Sequence, residues 1–303
     1  MKILITGATG LIGTELVTLL LANNYSVNYL STSTKKIVDT PNYKGFYWNP
    51  AEGKIDDNCL LNVQVIIHLA GATIAKRWTS EYKQELIDSR ILSSNVLFNT
   101  LKKNPHQVQH IISASGTAIY PDSSTKIYTE NSKDVEDSFL GNLVVKWEES
   151  VNQFQLLNLK TTVLRTGIVF SEKGGALQEM IRPIKYYVGS AFGTGKQLQS
   201  WIYLPDLVRL YLFVVQNQVT GIVNAVTSQP ISNKDLTQLI AKISNRPLFL
   251  PNIPQWFMKL ILGEMSSLLF TNKNIKPQCA LQLGFKFKFD TAESALSDIL
   301  KLH

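Results

Sequence analysis

An apolar run, Ile3-Leu4-Ile5, leads directly into Thr6-Gly7-Ala8-Thr9-Gly10-Leu11-Ile12-Gly13 and then into apolar residues at helical spacing. A strand, a glycine-rich turn and a helix accommodate all three features. Glycines at 7, 10 and 13 leave room for a tight turn, for backbone to approach a pyrophosphate, and for the helix to pack on the strand. Ile12, Leu16, Leu19 and Leu20 form a face broad enough to lie on a sheet, so the first amides of the helix point back at the turn. The amides of Thr9, Gly10, Leu11 and Ile12 are therefore the expected seat of a dinucleotide phosphate. A second strand at residues 26–30 completes a unit of βαβ length.

The loop after that second strand bears on the choice of nucleotide. An NAD site usually places a carboxylate there to accept from the ribose hydroxyls. This chain has Ser31-Thr32-Ser33-Thr34-Lys35-Lys36, with no acid before Asp39. Hydroxyls and two ammonium groups suit a 2′-phosphate, which favours NADP(H) over NAD(H), with Ser31, Thr32 and Lys35 as contacts. The plainer alternative is a solvated loop carrying two surface lysines. Residues 63–69 are the near-continuous apolar run of a strand buried on both faces. That run ends at Leu69, Ala70 and Gly71, small enough at the last two positions for the nucleotide to pass close to the backbone. His68 reads as a packed strand residue.

The formal net charge is +7, but the cations are scattered and show no basic run interleaved with aromatics, so no nucleic-acid partner is expected. Cys59 and Cys279 stand far apart, among only four histidines, which suggests neither a disulfide framework nor a metal site. With the first strand at the start and no long uninterrupted apolar stretch, the expectation is a cytoplasmic protein without a membrane partner.

The segment His68-Leu69-Ala70-Gly71-Ala72-Thr73-Ile74-Ala75-Lys76-Arg77-Trp78-Thr79, with Asp88-Ser89-Arg90 after it, resembles the signature of an atypical branch of the extended short-chain dehydrogenases. This is the "epimerase family protein" group, with its family 39U members. The resemblance continues through Arg165-Thr166-Gly167, Lys173-Gly174-Gly175-Ala176, Gly195-Lys196-Gln197, Ser200-Trp201-Ile202, Asn224-Ala225-Val226 and Leu262-Gly263-Glu264-Met265, nearly end to end. It implies an α/β fold, a Rossmann-type doubly wound parallel sheet with a smaller C-terminal substrate lobe. Residues 1–170 form the nucleotide domain, with 206–226 returning to it; 171–205 and 227–303 form the lobe. It also implies a small-molecule substrate and a homodimer through the superfamily's helices.

Departures from the superfamily pattern bear on chemistry. Its active site needs a tyrosine and, one turn later on the same helix face, a lysine that lowers the phenol pKa. No Tyr-x-x-x-Lys occurs in this chain, and Leu140 and Val144 occupy the expected places. Where a catalytic Ser or Thr would stand, four residues before Tyr120, there is Gly116, flanked by Ser115 and Thr117. Which neighbour faces the substrate depends on how the strand ends; Ser115 is the preferred candidate, with Tyr120 as a substitute phenol. Arg165 is placed nearer the cofactor, Lys196 and Trp201 nearer the substrate. Arg77 and Arg90 either hold an anionic substrate or belong to a solvated face or ion pair. An oxidoreductase or epimerase-like enzyme and a non-catalytic redox sensor both remain open. Among local signals, Thr79 or Ser80 caps a helix over 80–103, Asp206 caps one over 207–215, Ser232 with Asp235 caps another, and 290–302 forms the last helix.

Overall fold

A computed structural model describes residues 1–301. Seven parallel strands, β1 (Lys2–Thr6), β2 (Ser26–Ser31), β3 (Tyr43–Asn49), β4 (Val63–His68), β5 (His110–Gly116), β6 (Lys160–Thr166) and β7 (Gly221–Ala225), lie in the order β7-β6-β5-β4-β1-β2-β3. Two-residue strands, Asp39–Thr40 and Lys54–Ile55, pair antiparallel with β3. The order reverses beside β1, whose Thr6 stands between Leu30 and His68. In an open α/β sheet the crevice outside that reversal is where ligands bind.

The pleat of β1 sorts its residues between two cores. Ile3 and Ile5 join Leu16 and Leu20 of α1 (Leu11–Ala22) on one face, together with residues of a later helix, whereas Leu4 points to the opposite core with Leu97 and Leu101 of α2 (Ser80–Lys103). Burial on both sides is what the unbroken apolar strands require. Thr79 accepts the amide of Tyr82 and starts α2. The helix α3 (Phe139–Asn152) lies beside α2, and its buried face carries Leu140, Val144, Glu148 and Val151.

The lobe begins after β6. Strand Ile168–Phe170 pairs in parallel with Trp201–Tyr203, and α4 (Ala176–Lys185) lies between them in sequence. Helix α5 (Leu204–Asn217) returns to pack on α1. It starts three residues earlier than its sequence suggests, so Asp206 sits in its first turn and is no cap. The buried carboxylate of Asp206 instead accepts the amides of Lys288 and Phe289 and pairs with Arg209, fastening the C-terminal segment to α5. Ser232 caps α6 (Asn233–Ile243) through the amide of Asp235. Beyond it lie α7 (Gln255–Leu262), α8 (Ser267–Phe270), α9 (Gln278–Gln282) and α10 (Ala292–Lys301). Leu302, the expected end of the last helix, lies outside the described residues. Strand Asn274–Ile275 pairs with Ile127–Tyr128 and joins the lobe to the chain leaving β5. Among the described residues, no helix is long and apolar enough to cross a membrane.

Candidate functional site: a glycine turn, a buried polar knot and a cleft between lobes

At the end of β1 the chain turns through Gly7, whose φ of 71° is the left-handed region that favours glycine. The Gly10 amide donates to the Gly7 carbonyl at 3.0 Å. A Cβ at Gly13 would stand 2.2 Å from that same carbonyl oxygen, so the first turn of α1 packs directly on the glycine turn. Gly10 provides no side-chain cap and α1 has no acid in its first turn. The amides of Leu11, Ile12 and Gly13 are thereby left open to an anion. Thr9 is exposed beside them.

The neighbouring strand end is fixed by Thr6. Its Oγ1 accepts the amides of Leu69 and Ala70 at 3.1 and 3.0 Å, so its own proton goes to His68 Nδ1, 2.7 Å away. His68 is then the neutral tautomer with a proton on Nε2, facing the hydroxyls of Ser93 and Ser94. Burial holds its pKa down at about 4. A Cβ on Gly7 would lie 3.0 Å from the Leu69 carbonyl carbon, so the two strand ends abut across the crevice, leaving Gly71 exposed at its edge.

After β2, Ser31 Oγ donates to the Ser33 carbonyl and accepts the Ser33 amide, at 3.0 and 3.1 Å. Tyr29 shapes the rest of this loop: its hydroxyl donates to the Lys36 carbonyl at 2.6 Å and accepts the Val38 amide at 2.8 Å. Its ring needs the space that Gly45 leaves, since a Cβ there would come within 2.5 Å of it. Thr32, Lys35 and Lys36 project outward. Asp39 pairs with Lys44 at 2.6 Å, and neither Lys35 nor Lys36 has a carboxylate partner among the described residues.

The residues singled out for chemistry are distributed differently from the sequence expectation. Ser115 does not face the cleft: β5 runs on through Gly116, and the Ser115 hydroxyl donates to Glu148 Oε1 at 2.7 Å. Arg165 forks onto the same carboxylate at 2.8 and 2.7 Å and donates to the Tyr120 hydroxyl at 3.0 Å. Burial by itself would lower the Arg165 pKa, but the Glu148 carboxylate outweighs it and keeps the guanidinium protonated. Tyr120 is fully buried, its hydroxyl within 2.8 Å of Asn224 Oδ1 and 3.2 Å of the Thr129 carbonyl. The side-chain hydroxyls of Ser115 and Tyr120 and the Arg165 guanidinium are all bonded to protein groups in this knot, and none of the three residues lines the cleft. Trp201 is likewise core, stacked on Phe170 at 4.6 Å with its indole donating to the Gln229 carbonyl. Lys196 and Arg77 are exposed and neither lines the cleft. Arg90 belongs to neither of its two readings. Buried beneath the 71–72 turn, it donates to the carbonyls of Leu86 and Ala72 at 2.9 and 3.2 Å and lies over the Trp147 ring, and burial lowers its pKa to about 10.

A cleft of about 530 Å³ opens between the lobes at the carboxyl end of β5. Thr117, Ser138, Phe139 and Leu140 line it from the nucleotide domain, and Gln255, Lys259, Glu264, Ser267 and Lys273 from the lobe. Trp78 packs against Phe139 at its mouth, where Lys83 of α2 and Glu264 form an ion pair across the lobes. Asp122 and Glu136 share one wall. Glu136 is set there because Gly141 lets its carbonyl approach α3, where a Cβ would be 1.9 Å away. Lys273 is half-buried beside them and donates to the Tyr120 carbonyl; burial lowers its pKa, opposed by Glu136 and Asp122. Leu140 and Val144 leave this part of the cleft without the helix-borne phenol and ammonium. The sequence reading missed Lys273, Asp122 and Glu136. It carried a sign of the knot, however: an arginine within an apolar strand needs a carboxylate, and Glu148 sits on the apolar face of α3.

The sheet order, the open helix N-terminus at its reversal and the interlobe cleft define a Rossmann-type protein with a smaller C-terminal lobe. The chain belongs to the NAD dependent epimerase/dehydratase family, whose model matches residues 3–226. A domain of unknown function (DUF1731) matches residues 253–299. The chain is similar to Epimerase family protein SAR0825 of Staphylococcus aureus strain MRSA252, at 35% identity covering 98% of each chain. It is similar as well to Epimerase family protein YfhF of Bacillus subtilis strain 168, at 32% identity over 99% of this chain and 98% of that one. Among solved structures, the human epimerase family protein SDR39U1 (isoform 2) with NADPH superposes with a TM-score of 0.85 at 27% identity, covering 99% of both chains.

Proposed function

We propose that this protein binds NADP(H) in preference to NAD(H) and uses it for redox chemistry on a small polar molecule in the interlobe cleft. One juxtaposition carries this reading: the uncapped, acid-free start of α1 lies at the sheet's reversal, and the unpaired Lys35 and Lys36 come directly after the adjacent strand. Open amides suit a pyrophosphate, and ammonium groups in place of a carboxylate suit a 2′-phosphate. The NADPH bound by the human relative supports the same choice.

NADPH supplies a hydride when bound, and a carbonyl acceptor then requires a proton at its oxygen. Leu140 and Val144 have none to give, and Ser115 and Tyr120 are engaged in the knot. Of the groups lining the cleft, Lys273 is the one suited to hold and release that proton. Its partly desolvated ammonium faces Glu136 and Asp122, with the Thr117 hydroxyl, which donates to the Thr166 carbonyl at 3.4 Å, on the same cleft wall. Among the described residues, the cleft walls carry Asp122, Glu136 and Glu264 against Lys259 and Lys273, and no arginine. That balance suits a neutral polar molecule better than a nucleotide-sugar diphosphate.

The test is deuteride transfer from labelled NADPH to a panel of aldehydes and ketones, read by mass spectrometry. Label in a product, lost in Lys273→Met with nucleotide binding intact, is the expected result. A protein that binds NADPH yet transfers no label to any acceptor is the outcome for a second reading, a non-catalytic redox sensor, which the apolar Leu140 and Val144 favour.

A further inference from the structure

Helix α7 has the sequence Gln-Trp-Phe-Met-Lys-Leu-Ile-Leu, and none of its eight residues is buried. At 100° per residue, Gln255 and Lys259 fall on one side, and both line the cleft. Trp256, Phe257, Leu260 and Ile261 fall on the other, where they are 69%, 42%, 74% and 52% exposed. An apolar arc that faces water on a short helix costs free energy unless something covers it.

The arc does not stand alone. The chain entering α7 runs beside residues 190–193, with Ser190 donating to the Pro251 carbonyl at 2.6 Å and Ile253 donating to Ala191 at 2.8 Å. That pairing brings Phe249 and Leu250 (72% and 49% exposed) alongside Tyr186, Tyr187 and Val188 (74%, 46% and 53%). Arg246 packs over the Tyr187 ring, linking the two segments again. Tyrosine, phenylalanine and aliphatic side chains thus share one surface, which residues 251–255 connect to α7.

Its charge identifies the occupant. Lys185 and Arg246 flank Tyr186 and Tyr187 with no carboxylate partner among the described residues, whereas Arg182 and Lys242 pair with Glu179 and Glu293 and Lys259 faces the cleft. A second copy of this chain packed about a two-fold axis would set this basic surface against itself. An anionic surface meets no such penalty, and a helix with aromatic and aliphatic residues on one side and a lysine on the other is the form that lies at a lipid interface. We propose that α7, with residues 186–188 and 249–250, docks on an anionic lipid bilayer through its apolar arc, with the cleft-lining side of α7 turned away from the membrane. A helix lying at an interface needs no membrane-spanning length, so the absence of a spanning helix among the described residues is compatible with this membrane partner where none was expected.

Co-sedimentation with vesicles of phosphatidylcholine alone, or of phosphatidylcholine mixed with phosphatidylglycerol, tests this. The full chain should bind the mixed vesicles, less so as salt rises, and Trp256→Ser with Leu260→Ser should weaken binding by roughly tenfold or more while leaving the far-ultraviolet spectrum and melting temperature in place. Lys185→Glu should weaken it as well. Absence of binding to mixed vesicles at low salt overturns the proposal, as does equal binding by the double variant. A dimer in sedimentation that the double variant dissolves, without vesicle binding, assigns the face to a second copy and overturns it too.

Discussion

The hydroxyl of Thr6 makes three hydrogen bonds, accepting from Leu69 and Ala70 and donating to His68. Thr6→Val keeps the shape and removes all three, leaving the Ala70 amide and an imidazole nitrogen without their partner while the Leu69 amide keeps the Thr6 carbonyl. Urea unfolding should show a loss of about 1–3 kcal/mol, together with weaker nucleotide binding at the loosened 69–71 turn. The histidines give a second expectation at this scale. Burial holds both His68 and His110 at about 4 against an ordinary 6.5. Between those values the unfolded chain takes up protons that the folded chain refuses, so stability is full above pH 6.5 and falls as pH drops toward 4. Thermal melts across that range should show the decline, and a flat profile would contradict the assignment of neutral, buried imidazoles. Local chemistry of this kind was largely legible from residues: Gly7 and Gly13 at the turn, Thr79 and Ser232 as caps, and His68 as a packed strand residue. Ser115 and Trp201 were not. Their direction depends on where a strand ends and on what pairs with it, and neither is a property of neighbouring residues.

The segment after β2 shows how an element can be set from a distance. Tyr29 holds the 36–38 backbone through its hydroxyl, and Gly45 of β3 makes room for the ring. Tyr29→Phe should therefore leave the sheet intact and lower NADPH affinity several-fold with little change for NADH, measured by calorimetric titration; equal losses for both nucleotides would show that the loop does not position the 2′-phosphate. The lysines were visible in the sequence, whereas their anchor was not, because a tyrosine in an apolar strand reads as core until its register with Gly45 is known. Asp206 shows the converse. Its acid-before-apolar pattern reads as a cap, and its true partners are amides more than eighty residues further along the chain.

At the scale of the molecule, the sheet was legible because each strand and its helix announce themselves locally, and the resemblance supplied the second lobe. The cleft was not legible, because Thr117, Glu136 and Lys273 come together only once the lobe folds back over β5 and the Asn274–Ile275 strand finds Ile127–Tyr128. The same folding back leaves α7 outside the core at the cleft's rim. Everything proposed for this cleft depends on a nucleotide bound with its 2′-phosphate toward Lys35. The decisive experiment is titration of the purified protein with NADPH and with NADH, wild type against Lys35→Ala. NADPH should bind more tightly, and the gap should narrow by about tenfold in the variant, as loss of a charge-assisted hydrogen bond would give. Equal affinities, a gap untouched by the substitution, or no binding of either nucleotide would contradict a 2′-phosphate seated at Lys35.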